Sequence, residues 1–140
     1  MADYTIKRVD EMEAIFDGAV ARARASLGVS AFGMQLLNLP PSWDGYPNHN
    51  HREDAFDGSA GQEEVYVALT GSATLRVGGM EHRLEPGVVA RVGPDEKRQI
   101  VPGGEGVRVL CLGAWRDRAY EPPAWTELGA DPPIPPSSSS

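Results

Sequence analysis

From residue 31 onward, short runs of strand-forming residues alternate with glycine and proline turns, and this punctuation constrains the fold more than any other feature of the chain. Gly78-Gly79 is typical of a hairpin, and residues 85–87 and 101–104 indicate two further turns. Eight strands are predicted, at residues 31–39, 46–51, 64–70, 74–77, 81–84, 88–92, 98–101 and 107–114. Short strands at such regular spacing favour an all-β closed double sheet of the jelly-roll type, whose interior holds side chains or one small ligand.

Residues 1–30 show a different periodicity and predict one α-helix. Asp10 and Glu13 have the spacing of a capping box at its start, and Gly28 is typical of a helix end in a left-handed turn. Between them the apolar residues recur at helical spacing, at Met12, Ile15, Phe16, Ala19, Ala23 and Leu27. We expect this helix to pack its apolar stripe on the outside of the sheet.

Two histidines and a carboxylate form the candidate metal site. His49 and His51 lie two residues apart in a predicted strand, so both imidazoles point to the same side. Glu64 begins the next predicted strand, with Tyr66 on the same face. Two imidazoles and one carboxylate suit a divalent first-row metal and leave positions open for a substrate. The other candidates for the carboxylate ligand are Glu53, Asp54, Asp57 and Glu63.

These residues have the order of a known motif. His49 and His51 are followed by a spacer, Glu64, six residues and Gly71. This order resembles the first motif of the cupin superfamily, and residues 84–94 resemble the entry to the second cupin motif. The resemblance extends over residues 46–113 and implies a small single-domain cupin of the conserved-barrel type, a cupin-type double-stranded β-helix. It also implies a divalent metal (Fe, Mn, Ni or Zn) held by the three ligands, and a homodimer.

The chain departs from the cupin pattern at the position of the fourth ligand, where the family has a histidine and this sequence has Arg98. A guanidinium stays protonated and cannot ligate a cation. Three roles are open for Arg98. It anchors the anionic end of a substrate in the barrel, it pairs with Glu64 and leaves a polar pocket without metal, or it lies on the outer face of its strand.

A second departure is the long spacer at residues 52–62, between the histidines and Glu64. Its glycines and charged residues predict a surface loop in which Phe56 is the one large apolar residue. The loop is either a tolerated insertion or a lid at the mouth of the pocket.

Size and charge limit the classes of function. At 140 residues and 15.0 kDa the chain has the size of one domain, which we divide into an N-terminal segment (1–30), the barrel (31–115), a wrapping segment (116–130) and a disordered tail (131–140). The net charge of −7 argues against nucleic acid and anionic membranes as partners. No secretion signal or membrane span is indicated, so we expect a cytoplasmic protein. The single cysteine, Cys111, is expected to pack as a small hydrophobe.

Two hypotheses about function follow. The first is a metal-dependent cupin enzyme, in which His49, His51 and Glu64 hold the ion while Arg98 and Tyr66 act on a small oxygenated or carboxylated substrate. Its reaction would be dioxygenase-type cleavage with iron, or isomerase, lyase or cyclase chemistry with a redox-silent metal. The second is a metal-free pocket that binds a small acidic ligand without catalysis. The fold alone does not decide between them.

Overall fold

The computed structural model describes residues 2–52 and 57–134, and its seven strands form one antiparallel sheet. The strands are β1 (Ala14–Ile15), β2 (Val20–Ala21), β3 (Gly33–Leu39), β4 (Glu63–Val77), β5 (Met80–Leu84), β6 (Val89–Val92) and β7 (Arg98–Ala114). Their order is β1-β2-β3-β7-β4-β5, and β6 also pairs with β4. The predicted all-β class is confirmed, although the hydrogen-bonded path between these described strands is open rather than closed.

The long strands β4 and β7 form the centre of the fold. They pair along their whole lengths, while the other edge of β4 pairs with β6 in its first half and with β5 in its second half. The register of β4 against β7 shifts at Ala68/Thr70 and again at Gly71/Ala73. Such irregularities bend a strand. The bend lets the two halves of β4 pair with different strands, β6 and β5.

Alternation along β4 and β7 decides which side chains enter the interior. Tyr66 and Ala68 are buried on one face of β4, and Val109 and Cys111, their neighbours in the register, are buried on the same face of the sheet in β7. Tyr66 lies directly opposite Cys111 in the register. The functional side chains discussed below therefore project from the same face as the apolar core.

The predicted N-terminal helix is wrong for most of its length. Phe16, Asp17 and Gly18 all have positive φ (54°, 58° and 92°), and this left-handed run reverses the chain into the β1–β2 hairpin. Only Ala23–Leu27 is α-helical (α1), and it ends as predicted at Gly28 in the left-handed conformation. The apolar spacing misled the prediction because Ile15, Ala19 and Ala23 are buried in either arrangement.

Several strand and turn predictions also change. Residues 46–51 contribute a single β-bridge, His49 to Arg98, instead of a strand. The predicted turn at 101–104 is wrong, because these residues continue β7 and join the two strands predicted on either side. The turns at Gly78-Gly79 and at 85–87 are confirmed, the latter by a bond from the Val88 amide to the Glu85 carbonyl (2.9 Å).

The C-terminal segment runs back along the N-terminal hairpin. Arg22 donates to the Ala130 carbonyl (2.7 Å), and Arg24 pairs with Glu127 (2.8 Å). Within the described ranges no helix is long and apolar enough to cross a membrane. The predicted roles of Glu53, Asp54 and Phe56, and most of the predicted tail, fall outside the residues that the structure describes.

Gly71, the last residue of the first motif, is expected to tolerate no side chain. Its φ is +75°, and an added Cβ would lie 2.1 Å from the Gly106 carbonyl oxygen. Gly79 has the same φ of +75° but open space around it, so Gly79→Ala isolates the cost of the backbone conformation, about 1–2 kcal/mol. We expect Gly71→Ala to cost about 2–5 kcal/mol in urea unfolding, because the steric clash adds to that strain. Equal losses in the two variants would show that the close approach of Gly106 is unimportant.

Candidate functional site

Backbone hydrogen bonds hold residues 49–51, which carry the two histidines, against the start of β7 and the residues before it. The His49 amide donates to the Arg98 carbonyl (3.0 Å), and the Arg98 amide donates back to the His49 carbonyl (2.8 Å). The His51 amide donates to the Pro94 carbonyl (2.8 Å). Both histidines are thereby placed beside the interior face of the sheet, and both are buried.

The ring orientation of each histidine is set by a backbone carbonyl. His49 Nδ1 lies 2.9 Å from the Pro47 oxygen, and His51 Nδ1 lies 3.0 Å from the Gln62 oxygen. A carbonyl only accepts, so both Nδ1 atoms carry a proton, and in the neutral form of such a ring Nε2 is the atom that can bind a metal ion. This is the tautomer that a metal-ligating histidine needs. Burial lowers the pKa of His49, which favours its neutral form.

One carboxylate, that of Asp57, lies close to both histidines. Ligand atoms of His49, His51 and Asp57 all lie within 4.8 Å of one another. Asp57 is held by the loop itself, where its side chain accepts the Ser59 amide (3.1 Å), and by the Trp125 indole, which donates to its backbone carbonyl (2.7 Å). The donor set of two imidazoles and a carboxylate therefore exists in the structure.

The buried Nε2 of His51 supports the fit of a cation to this site. It makes no hydrogen bond within residues 2–52 and 57–134. Glu64 Oε1 lies 3.3 Å away, which is ion-pair distance, but the geometry is not that of a hydrogen bond. A buried acceptor without a donor is costly, and a bound metal ion would satisfy this lone pair. The residues present thus fit a divalent metal.

Glu64 lies at the centre of a buried polar network. Its Oε1 accepts from Arg98 NH1 (2.7 Å) and from the Tyr66 hydroxyl, and its Oε2 accepts from the Cys111 thiol (3.1 Å). Tyr46 extends the network, with its hydroxyl 3.4 Å from that of Tyr66. Every polar group in this network has a partner, as buried polar groups require.

The network keeps Glu64 ionised. Burial by itself would raise the pKa of its carboxyl, but the positive charges beside it, that of His51 when its ring is protonated and that of Arg98, outweigh burial and the pKa is lowered. The neighbouring hydroxyl and thiol respond in the opposite way, because burial and the Glu64 charge raise the pKa of Tyr66 and of Cys111. Both groups therefore remain protonated donors, and Cys111 is a buried thiol rather than a thiolate.

Arg98 is fully buried and donates four hydrogen bonds to protein oxygens. Besides Glu64, it donates to the Tyr66 hydroxyl (3.3 Å), the Gly93 carbonyl (2.6 Å) and the Glu96 carbonyl (3.1 Å). Of the three roles that the sequence left open, the direct pair with Glu64 is the geometry found. Arg98 is not among the described residues that line the neighbouring cavity.

A cavity of about 150 Å³ lies against His49 and Glu64. Its polar lining consists of His49, Asp57, Glu64, Cys111 and Gln35, and its apolar lining comes mainly from the N-terminal hairpin, β3, the loop after β3 and the C-terminal segment. The cavity opens beside the candidate metal position. A small molecule held in the cavity would lie within reach of the candidate metal position.

The structure brings together the side chains that the sequence singled out. His51 contacts Glu64, His49 lies beside His51 with ring centroids 5.4 Å apart, and Tyr66 and Arg98 both contact Glu64. Their roles as metal ligands (His49, His51, Glu64) and as catalytic residues (Arg98, Tyr66) stay predictions.

The carboxylate with the best position for a shared ion is Asp57, which the sequence offered only as one of several alternatives. Glu63, another alternative, pairs with Arg91 (2.8 Å) instead. Asp57-Gly58-Ser59 has the composition of a turn in which aspartate accepts a following amide, and this signal marks Asp57 as an ordered residue. The contact with Trp125 links residues 68 positions apart and has no local signal.

Comparison with solved structures confirms the fold. The structure is similar to a cupin protein from Bacteroides fragilis, with a TM-score of 0.64 and 21% sequence identity over 86% of this chain and 92% of that chain. It is also similar to a sugar phosphate isomerase from a cupin superfamily of Silicibacter pomeroyi (TM-score 0.62, 22% identity, 79% of this chain and 75% of that chain). A predicted oxalate decarboxylase from Thermotoga maritima is a further neighbour (TM-score 0.58, 18% identity, 79% and 99%). No protein-family model and no curated protein matches the sequence.

The chain therefore has the cupin fold, as the resemblance of its two motifs predicted. At these identities the likeness concerns the fold, and the chemistry has to be argued from the site.

The buried pair of Arg98 and Glu64 is expected to be essential for stability. Arg98→Met leaves a buried carboxylate without its cation, which costs about 3–5 kcal/mol in urea unfolding. Arg76→Met is the matched control, because Arg76 also pairs with a glutamate (Glu81, 3.2 Å) but is exposed on the sheet, and its loss should cost under about 1 kcal/mol. The double variant Arg98→Met/Glu64→Met should regain at least half of the loss. Equal losses for the two arginines would contradict the assignment.

Proposed function

We propose that this chain is a metal-dependent cupin enzyme in which His49, His51 and Asp57 hold a divalent ion. The observation that carries the proposal is the pair of imidazoles whose Nδ1 atoms are bound by backbone carbonyls, with a carboxylate within 4.8 Å of both. Neutral imidazoles and a carboxylate suit Fe, Mn, Ni or Zn, and three protein ligands leave positions for a substrate. Glu64, beside His51, is the alternative carboxylate ligand.

The substrate is proposed to be a small oxygenated or carboxylated metabolite in the adjoining cavity. When bound, the ion supplies Lewis-acid chemistry, or dioxygen chemistry if it is iron. Glu64 faces the cavity as an ionised carboxylate and can accept a proton from the substrate. Arg98 acts through Glu64 by holding its charge and position, and Tyr66 donates to the same carboxylate. The reaction is dioxygenase-type cleavage with iron, or isomerase, lyase or cyclase chemistry otherwise.

The names of the structural neighbours agree with this range. One is described as a sugar phosphate isomerase and another as a predicted oxalate decarboxylase. Both names describe reactions of small oxygenated molecules. The homodimer and the small-molecule ligand expected from the sequence remain part of the proposal.

A second candidate function is supported by one specific contact. Arg98 NH1 lies 2.7 Å from Glu64 Oε1, which is the geometry expected of a pocket that binds a small acidic ligand without metal. In that case His51 Nε2, which is buried and makes no hydrogen bond within the described part of the chain, would stay unsatisfied. Metal analysis separates the two functions.

Metal content is the decisive measurement. We expect protein purified without chelators or a nickel column, then reconstituted with Mn²⁺ or Zn²⁺, to hold one ion per chain by elemental analysis. His51→Ala should abolish binding, and Asp57→Asn should weaken it at least tenfold, because each removes a ligand. His82→Ala is the control, since His82 is exposed on β5 and should leave the metal content unchanged.

The carboxylate variants identify the third ligand. If Glu64→Gln abolishes the metal while Asp57→Asn does not, Glu64 is the ligand and the proposed donor set is wrong in that member. Failure of the wild-type protein to take up any of Fe, Mn, Ni and Zn would exclude the enzyme proposal and favour the metal-free pocket.

A further inference from the structure

The residues that line the cavity indicate which kind of ligand it fits, in addition to the atoms of the ligand that would chelate the ion. Most of the wall is apolar or aromatic and includes Phe16, Val20, Leu37, Trp43 and Trp125. Val20 and Leu37 face each other across the β2–β3 pair, so this part of the wall belongs to the sheet. A wall of this kind stabilises an apolar body by removing its surface from water.

The size of the cavity limits that apolar body to a single ring. Its volume is about 150 Å³. An apolar protein cavity of about this volume accommodates benzene. Ligand sites for drug-sized molecules are larger, about 300–1,000 Å³. The cavity therefore fits one six-membered ring and its substituents.

The charges of the wall disfavour phosphate. Asp57 and Glu64 line the cavity, whereas none of its described lining residues is a lysine or arginine. Arg98, the nearest guanidinium to Glu64, has its donors committed to protein oxygens. A phosphate group would meet carboxylates without a cationic side chain to bind it.

We propose that the ligand of this cavity is a compound built on one six-membered, largely apolar ring, with no phosphate group. The inference rests on the proposed function for the metal at His49 and His51, and adds the class of the substrate. The ring lies against the apolar wall, and its chelating oxygens reach the ion.

Calorimetric titration of the Zn²⁺-loaded protein tests the ring. Mandelate and lactate share a 2-hydroxy-acid head group and differ in a phenyl against a methyl group. We expect mandelate to bind at least tenfold more tightly, because burial of the phenyl surface adds to an equal chelating interaction. Ribose 5-phosphate should bind more weakly than mandelate.

Variants of the wall show where the ring lies. Val20→Phe fills the cavity and should abolish the preference for mandelate without changing Zn²⁺ uptake. Val20→Leu adds less volume and should reduce the preference for mandelate. Val89→Phe is the matched control, because Val89 is 65% exposed on β6, and it should change neither property. Thermal unfolding shows whether each variant is folded, and Val20→Leu alone decides the point if Val20→Phe does not fold.

A metal-free arm keeps this inference separate from the proposed function. Benzyl alcohol, titrated into protein stripped with EDTA, should bind in the same cavity through its ring. If Zn²⁺ binds but mandelate is no tighter than lactate, the inference is overturned and the metal site stands. If Zn²⁺ does not bind, the proposed function fails, and benzyl alcohol binding that Val20→Phe or Val20→Leu reduces still supports the ring-shaped cavity. No binding of benzyl alcohol overturns it.

Discussion

The buried ion pair between Arg98 and Glu64 is the interaction on which the rest of the site depends. Arg98 opens β7 and Glu64 lies near the start of β4, so the pair joins the two strands that form the centre of the sheet. The backbone of Arg98 also carries the bridge that holds His49. One residue thus fixes a carboxylate with its side chain and an imidazole with its main chain. Burial of both charges is tolerated because the remaining donors of the guanidinium reach protein oxygens.

Arg98 lies at the position where the cupin motif that this sequence resembles has a fourth ligand, so its pair with Glu64 changes the chemistry available to the proposed site. A histidine there would add a neutral donor to the ion, whereas Arg98 adds a permanent positive charge close to it. Glu64 compensates that charge, and its lowered pKa means that it does so at neutral pH. In the proposed site Glu64 is thereby less available to the metal. The open coordination positions that result suit a chelating substrate better than a closed structural site would.

The sequence predicted the fold and the interior residues because both depend on local periodicity and turn chemistry. Alternation placed Glu64 and Tyr66 on one face, and the turns at Gly78-Gly79 and 85–87 were found from their residues. The N-terminal helix was wrong because Asp17-Gly18 acts as a hairpin turn within an apolar pattern that suits both structures. Asp57 could not be ranked above its competitors, since its position depends on Trp125. Contacts between such distant residues leave no periodic signal.

The two departures from the cupin motif that the sequence resembles are related to each other in the structure. Replacement of the fourth ligand by Arg98 commits Glu64 to an ion pair. The longer spacer brings a second carboxylate, Asp57, to the same pair of histidines. A short spacer would have no residue at that position, and without Asp57 the ion would have to compete with Arg98 for Glu64. The extra residues are therefore more than a tolerated insertion in the proposed site, because they supply the ligand that the ion pair withdraws. The proposed site also depends on the C-terminal segment through Trp125. Its indole N–H donates to the Asp57 carbonyl, and its ring forms part of the apolar wall of the cavity.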